Sequence, residues 1–278
     1  MRRRGRNWGS YIFLIALGVF MTYPLLWLLA SSFKSSQEIF ADISLWPKHF
    51  GLDGYINGWK GSGQYSYTTF FLNSFLMVVP TVIFTLISSF LVAYGFARFR
   101  FPFKKLLFML MLSTLMLPQE LIIIPRYILF RNFHWLNSYL PIMIPALFAT
   151  YSFFIFMMVQ FLRGIPRELD EAAIIDGCGS FAILVRILLP LSKPVLFAAT
   201  IFQFVWRWND FFNVLIYIDS VARYPLSLAL RMSIDITETV SWNNLLAMSV
   251  LTLLPPVLLF FFAQKYFVEG IATSGLKG

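Results

Sequence analysis

The chain has 278 residues, of which 59% are hydrophobic and 13% charged, with a mean hydropathy of +0.73. That balance excludes a soluble domain with a polar surface and points to an all-α, polytopic membrane protein. The net charge of +9 would suit a nucleic-acid binder, but the basic residues flank apolar runs, where they set membrane orientation.

Arg2, Arg3, Arg4 and Arg6 precede an apolar run at 11–30. A secretory signal begins in a similar way. This run, however, has span length rather than the shorter signal core, and Ala30-Ser31-Ser32 is a weak cleavage site, so it reads as a retained first span. Residues 33–69 are turn-rich, with Pro47, Gly51, Gly54, Gly58, Gly61 and Gly63 spread along them, and are expected to form an exposed loop. Gly61-Ser62-Gly63 lacks the lysine of a phosphate-binding loop. Further apolar runs at 71–96, 106–128, 140–161, 195–218 and 245–267 bring the expected spans to six in one transmembrane domain, 1–278. Each is long enough to cross a hydrocarbon core of about 30 Å. Pro118 and Pro125 flank Gln119 and Glu120, where the third span either unwinds against a cavity or simply kinks.

Between the fourth and fifth spans lies a polar, helix-prone loop, 163–193. Pro166 suits a first helical position, and Glu168, Asp170 and Glu171 suit the positive end of a helix dipole. Leu169, Ala172, Ala173 and Asp176 recur at i, i+3, i+4 and i+7, giving one narrow face of small and apolar groups edged by carboxylate. Gly177 is the expected stop; Ser180 is expected to cap a second helix ending before Pro190. The expected shape is helix, glycine turn, helix. The one cysteine, Cys178, sits in that turn and excludes an internal disulfide.

The fifth span carries Gln203, Arg207, Asn209, Asp210 and Asn213. A charge at membrane depth should face a bundle interior or a water-filled cavity and be paired, and Arg207 and Asp210 stand at i and i+3. Two readings are open: an internal ion pair that locks the span to its neighbours, or a pathway lining that offers hydrogen bonds to a polar solute beside Trp206 or Trp208. Catalytic motifs are missing: there is no H-E-x-x-H or G-x-S-x-G, so neither catalytic nor metal-ligating residues are assigned. His49 and His134, the only histidines, fall in expected outer loops as solvated residues.

Orientation follows from Lys and Arg. Fourteen flank one side, in clusters at 2–6, 98–105, 163–193 and 265–277, against seven on the other, with Arg207 inside a span. The richer side is expected to be cytoplasmic, with both termini and the Glu171 loop.

Glu171, Ala172, Ala173, Gly177, Ile187, Leu189 and Pro190 meet the pattern E-A-A-x3-G-x9-I-x-L-P in full. They resemble the signature loop of binding-protein-dependent ABC importer permeases. Further stretches carry the resemblance in order: Ser32-Phe33-Lys34, Asn73-Ser74, Ala93-Tyr94-Gly95-Phe96-Ala97-Arg98, Pro118 with Ile124-Pro125, Trp208-Asn209-Asp210-Phe211 and the tail Gln264 to Gly270. They are most similar to the carbohydrate branch, and to the second permease of maltose-type importers. The resemblance implies a type I importer permease fold in a bacterial or archaeal cytoplasmic membrane. Glu171, Ala172, Ala173 and Gly177 would form a coupling helix that docks on an ATPase. Two ATP-binding cassette subunits would bind ATP and Mg, leaving this chain without a cofactor. A second, different permease and an extracytoplasmic solute-binding protein would complete the importer, with a sugar, oligosaccharide or glycoside as substrate. A secondary transporter or channel acting alone is the alternative; the lack of an evident inverted repeat and the E-A-A loop oppose it.

Overall fold

In a computed structural model, residues 8–42, 44–61, 64–234 and 240–275 are described; for Gln119 and residues 265–275 only the backbone is. No β-strand forms among the described residues. The chain divides into two compact units. One takes the chain up to Thr68 with Ala229–Leu254; the other takes Thr69–Leu228 and continues from Pro255.

In the first unit, α1 (Trp8–Ser31) is apolar and buries only Ala30 and Ser31. Such a helix needs a hydrocarbon solvent on most of its surface. The stretch expected to be an exposed loop instead forms two short helices, α2 (Ser36–Ala41), whose N-terminus is capped by Ser35, and α3 (Asp53–Lys60). Two of the glycines taken for turn residues, Gly54 and Gly58, lie one helical turn apart and are buried. Both face the start of the long helix Trp242–Gly275. A Cβ on Gly54 would stand 2.7 Å from the Asn243 carbonyl oxygen, and one on Gly58 would stand 3.0 Å from Met248. These glycines permit close helix packing rather than a turn. Gly61, with φ +81°, is the turn glycine. Ser36 donates to Asn243 Oδ1 at 2.8 Å across the same junction.

The second unit is built on α4 (Tyr67–Arg98), most of whose length lies in it. It is followed by α5 (Lys104–Ser113), α6 (Gln119–Asn132), α7 (Leu140–Leu147) and α8 (Ser152–Gly164). Then come α9 (Glu168–Ile175), α10 (Ser180–Leu191), α11 (Lys193–Trp208), α12 (Phe212–Tyr217) and α13 (Leu226–Met232); α14 is the helix Trp242–Gly275. Phe90, Ala93, Tyr94 and Ala97 mark one face of α4 at helical spacing and join a buried cluster with Phe154, Met158 and Leu162 of α8.

Among the described residues, four helices are long and apolar enough to cross a membrane, or six if each of two bent pairs is one span. The expected span 106–128 falls on one such pair, bent by 103°. Proline explains the bend: Pro118 has no N–H to continue a helix, and Leu117 before it is extended, at φ −77° and ψ 122°. The stretch 140–161 is interrupted between α7 and α8, where Ala149 takes a left-handed φ of 55°. The stretch 195–218 is also not one helix: α11 ends at Trp208 and the chain resumes helical form at Phe212. The second bent pair is α10 with α11, at 75°.

Candidate functional site

The 168–191 hairpin begins with α9, whose first turn holds Glu168, Asp170 and Glu171 against the positive end of its dipole. Arg167 is the N-cap, so Pro166 lies one residue outside the helix rather than at its first position; its fixed φ shapes the entry. At the other end Cys178 N donates to Ala173 O (2.8 Å) and Gly177 N donates to Ile174 O (3.0 Å). This is a Schellman closure, with Gly177 left-handed at φ +81°. A Cβ on Gly177 would meet nothing within 4 Å, so the demand for glycine there is purely one of backbone conformation.

Gly179, not Ser180, is the N-cap of α10, and the serine makes no capping bond; its carbonyl accepts from the Tyr94 hydroxyl at 3.0 Å. Nor does α10 stop before Pro190. It widens into a π turn over Leu184–Leu188, in which Leu189 N bonds Leu184 O, and runs on to Leu191. The wider turn gives the proline ring room that regular α geometry denies it.

Three contacts fasten the hairpin to the last turn of α4. Arg98 Nε lies 2.7 Å from Asp170 Oδ2, its Nη2 donates to Ile165 O (3.1 Å), and Arg167 donates to Ala97 O (3.2 Å). Arg167 thus meets the negative end of α4 at the Ala97 carbonyl. Of the four residues singled out in α9 and its turn, Ala173 faces inward, 5% exposed, into the α4–α8 cluster. Glu171, Ala172 and Gly177 stay on the surface. Beside them stand apolar side chains that sequence reasoning passed over: Ile174 is 61% exposed, Ile175 86% and Phe181 74%. Bare isoleucines beside an alanine and a glutamate make a face suited to docking. The pairing of Arg98 with Asp170 was also not foreseen, because it joins residues distant in sequence.

The polar group of α11 divides. Arg207 Nη1 pairs with Asp210 Oδ2 at 2.6 Å, and the guanidinium lies 5.2 Å from the centre of the Tyr151 ring. Asp210 Oδ1 accepts from the backbone N and the side chain of Asn213, so the carboxylate also secures the start of α12. Gln203, fully buried, donates to Thr85 of α4 at 2.9 Å. Asn209 is exposed and donates to Val205 O within its own helix. Arg207, Asp210 and Asn213 are therefore one cluster, and Gln203 and Asn209 stand outside it. Asp210 accepts from both Arg207 and Asn213, while the buried Arg207 Nε has no hydrogen-bond partner among the described residues.

Residues 54–273 match the family described as binding-protein-dependent transport system inner membrane component. The arabinooligosaccharides transport system permease protein AraQ of Halalkalibacterium halodurans is 34% identical over 97% of this chain and 95% of its own. The sn-glycerol-3-phosphate transport system permease protein UgpE of Yersinia pestis is 31% identical over 98% of each. Among solved structures, a chain of a bacterial ABC transporter involved in the import of the acidic polysaccharide alginate superposes with a TM-score of 0.83. It shares 22% identity and covers 96% of this chain and 99% of its own, which shows the fold.

Proposed function

The chain belongs to the family of binding-protein-dependent transport system inner membrane components, and from that premise we propose that it is the transmembrane permease subunit of an ATP-driven importer for a sugar, oligosaccharide or glycoside. The observation that carries this reading is the hairpin at Glu171 to Gly177. It is a short helix with a bare apolar and carboxylate face, closed by a left-handed glycine and fastened by Arg98 and Arg167 to a helix long enough to span the membrane.

In this reading two ATP-binding cassette subunits hold ATP and Mg, and one receives the α9 face. Their movement on ATP binding and hydrolysis displaces the hairpin, and the rigid contact with α4 passes that displacement into the spans. A second permease chain completes the path, and a solute-binding protein delivers substrate on the opposite side. Both termini and the hairpin lie in the cytoplasm, as the fourteen-to-seven division of Lys and Arg supports. The relatives' names include arabinooligosaccharides and sn-glycerol-3-phosphate, so the shared chemistry is a polyhydroxylated solute.

Reconstitution with the partner permease, the ATPase and the binding protein in proteoliposomes tests the proposal. Uptake of a labelled oligosaccharide should require ATP inside and binding protein outside. Uptake by this chain without an ATPase would sink it.

A further inference from the structure

The turn between α4 and α5 forms a cleft of about 560 Å³ lined by Arg100, Phe101, Phe103, Lys104, Lys105 and apolar residues at the head of α5. No carboxylate lines it. Lys104 is held in place by donating to Phe99 O at 2.7 Å, with its ammonium 5.9 Å from the Phe101 ring centre. Its charged neighbours are Arg163, Arg167 and Arg100, all cations. On the hairpin, Asp170 is already engaged by Arg98. Phe103, at the tip, is 75% exposed and sits in the left-handed region at φ 58°, unusual for an aromatic residue.

A solvated loop would spread its cations apart and turn its rings inward. This one sets Arg100, Lys104 and Lys105 about a shallow, apolar-walled cleft and leaves a ring bare beside Leu106 and Met109, which are 48% and 59% exposed on a helix of span composition. Positive charge above apolar surface is the complement of one surface, an anionic phospholipid leaflet, where phosphate meets the cations and acyl chains meet the rings.

We propose that the α4–α5 turn is a binding site for the phosphate headgroup of an anionic glycerophospholipid, held by Arg100, Lys104 and Lys105 with Phe103 inserted among the acyl chains. The leaflet is the one on the hairpin's side, so its designation as cytoplasmic rests on the orientation proposed above; the site itself does not. A lipid there would neutralise cations that otherwise crowd Arg163 and Arg167 at the base of the hairpin.

The test places a photoreactive benzoyl-phenylalanine at Met109 in the full importer complex, in nanodiscs of equal phosphatidylglycerol and phosphatidylcholine. Phosphatidylglycerol should be cross-linked in clear excess. Arg100→Gln/Lys104→Gln/Lys105→Gln should abolish the excess, a loss of at least about tenfold if each cation contributes the usual increment at a charged surface. Equal labelling of both lipids by the otherwise unaltered protein would overturn the site whatever the triple variant does. An excess undiminished in the triple variant would overturn the assignment of the headgroup to these three cations. Both leaflets of the nanodisc are alike, so a reversed orientation would leave the result unchanged, and the two proposals fail separately.

Discussion

Arg98, in the last turn of α4, lies 2.7 Å from Asp170 of α9, and the side chains are 7% and 15% exposed. The pair ties the end of a long apolar helix to the first turn of α9, and a second bond from Arg98 to Ile165 O fixes the segment of chain that enters it. Removing one member leaves a largely buried charge without a partner. Arg98→Ala should cost about 3 kcal/mol of hairpin stability, and the importer should lose coupling before it loses assembly. In a double-mutant cycle read by thermal unfolding, Arg98→Ala/Asp170→Ala should be clearly less destabilised than the two single effects added together. Strict additivity would show that the pair does not act as a unit.

Asp210 serves both Arg207 and the start of α12. Asp210→Ala should reduce the yield of folded complex, because Arg207 is left without its counter-charge inside the bundle. Arg207→Ala/Asp210→Ala should recover part of that yield in a detergent size-exclusion assay. A double variant no better folded than Asp210→Ala would remove the support for the ion-pair lock.

Gly54 has no space for a side chain, since a Cβ would meet the Asn243 carbonyl oxygen at 2.7 Å. Gly54→Val should destabilise the packing of α3 on α14 by about 1–3 kcal/mol. At Gly51 a Cβ would make ordinary contacts, 3.4 Å or more from its neighbours, and Gly51→Val should be close to neutral. Proteolysis of the intact complex reads the difference, and equal sensitivity of the two variants would contradict the assigned packing.

Gly54 also shows where sequence reasoning stopped. Glycine at 54 and 58 reads as turn punctuation along the chain, and only the neighbouring helix, nearly two hundred residues on, reveals it as a packing surface. The hairpin was legible because its determinants are local: acidic residues in a first turn, a glycine at the stop, a fixed spacing. Its attachment was not, because Arg98 and Asp170 are distant in sequence. The break at Pro118 was legible from the proline itself, whereas the one at Asn209–Phe211 was hidden by hydropathy, which registers apolar length and is blind to direction. Likewise Pro190 signals a helix end by local rules, yet the π turn before it carries the helix past.

The division of Lys and Arg predicts a sidedness. Reporter fusions after Gly278 and within 51–63 should report opposite compartments, the former cytoplasmic. Both on one side would end the six-span arrangement with cytoplasmic termini.

The central claim is that the Glu171–Gly177 face couples this chain to an ATPase. Gly177→Asp should strain the left-handed turn by about 1–2 kcal/mol and add a carboxylate beside Asp176, while Glu171→Lys reverses the charge at the surface at the cost of one favourable helix-dipole contact, about 0.3–1 kcal/mol. Gly177→Asn, which tolerates the left-handed region, should be the mildest of the three. The direct measurement is co-purification of the ATPase subunit together with phosphate release stimulated by loaded binding protein in proteoliposomes. Gly177→Asp and Glu171→Lys should insert and pair with the partner permease normally, yet retain little ATPase or show little stimulation. Wild-type retention and wild-type stimulation in both variants would mean that the hairpin is not the coupling element.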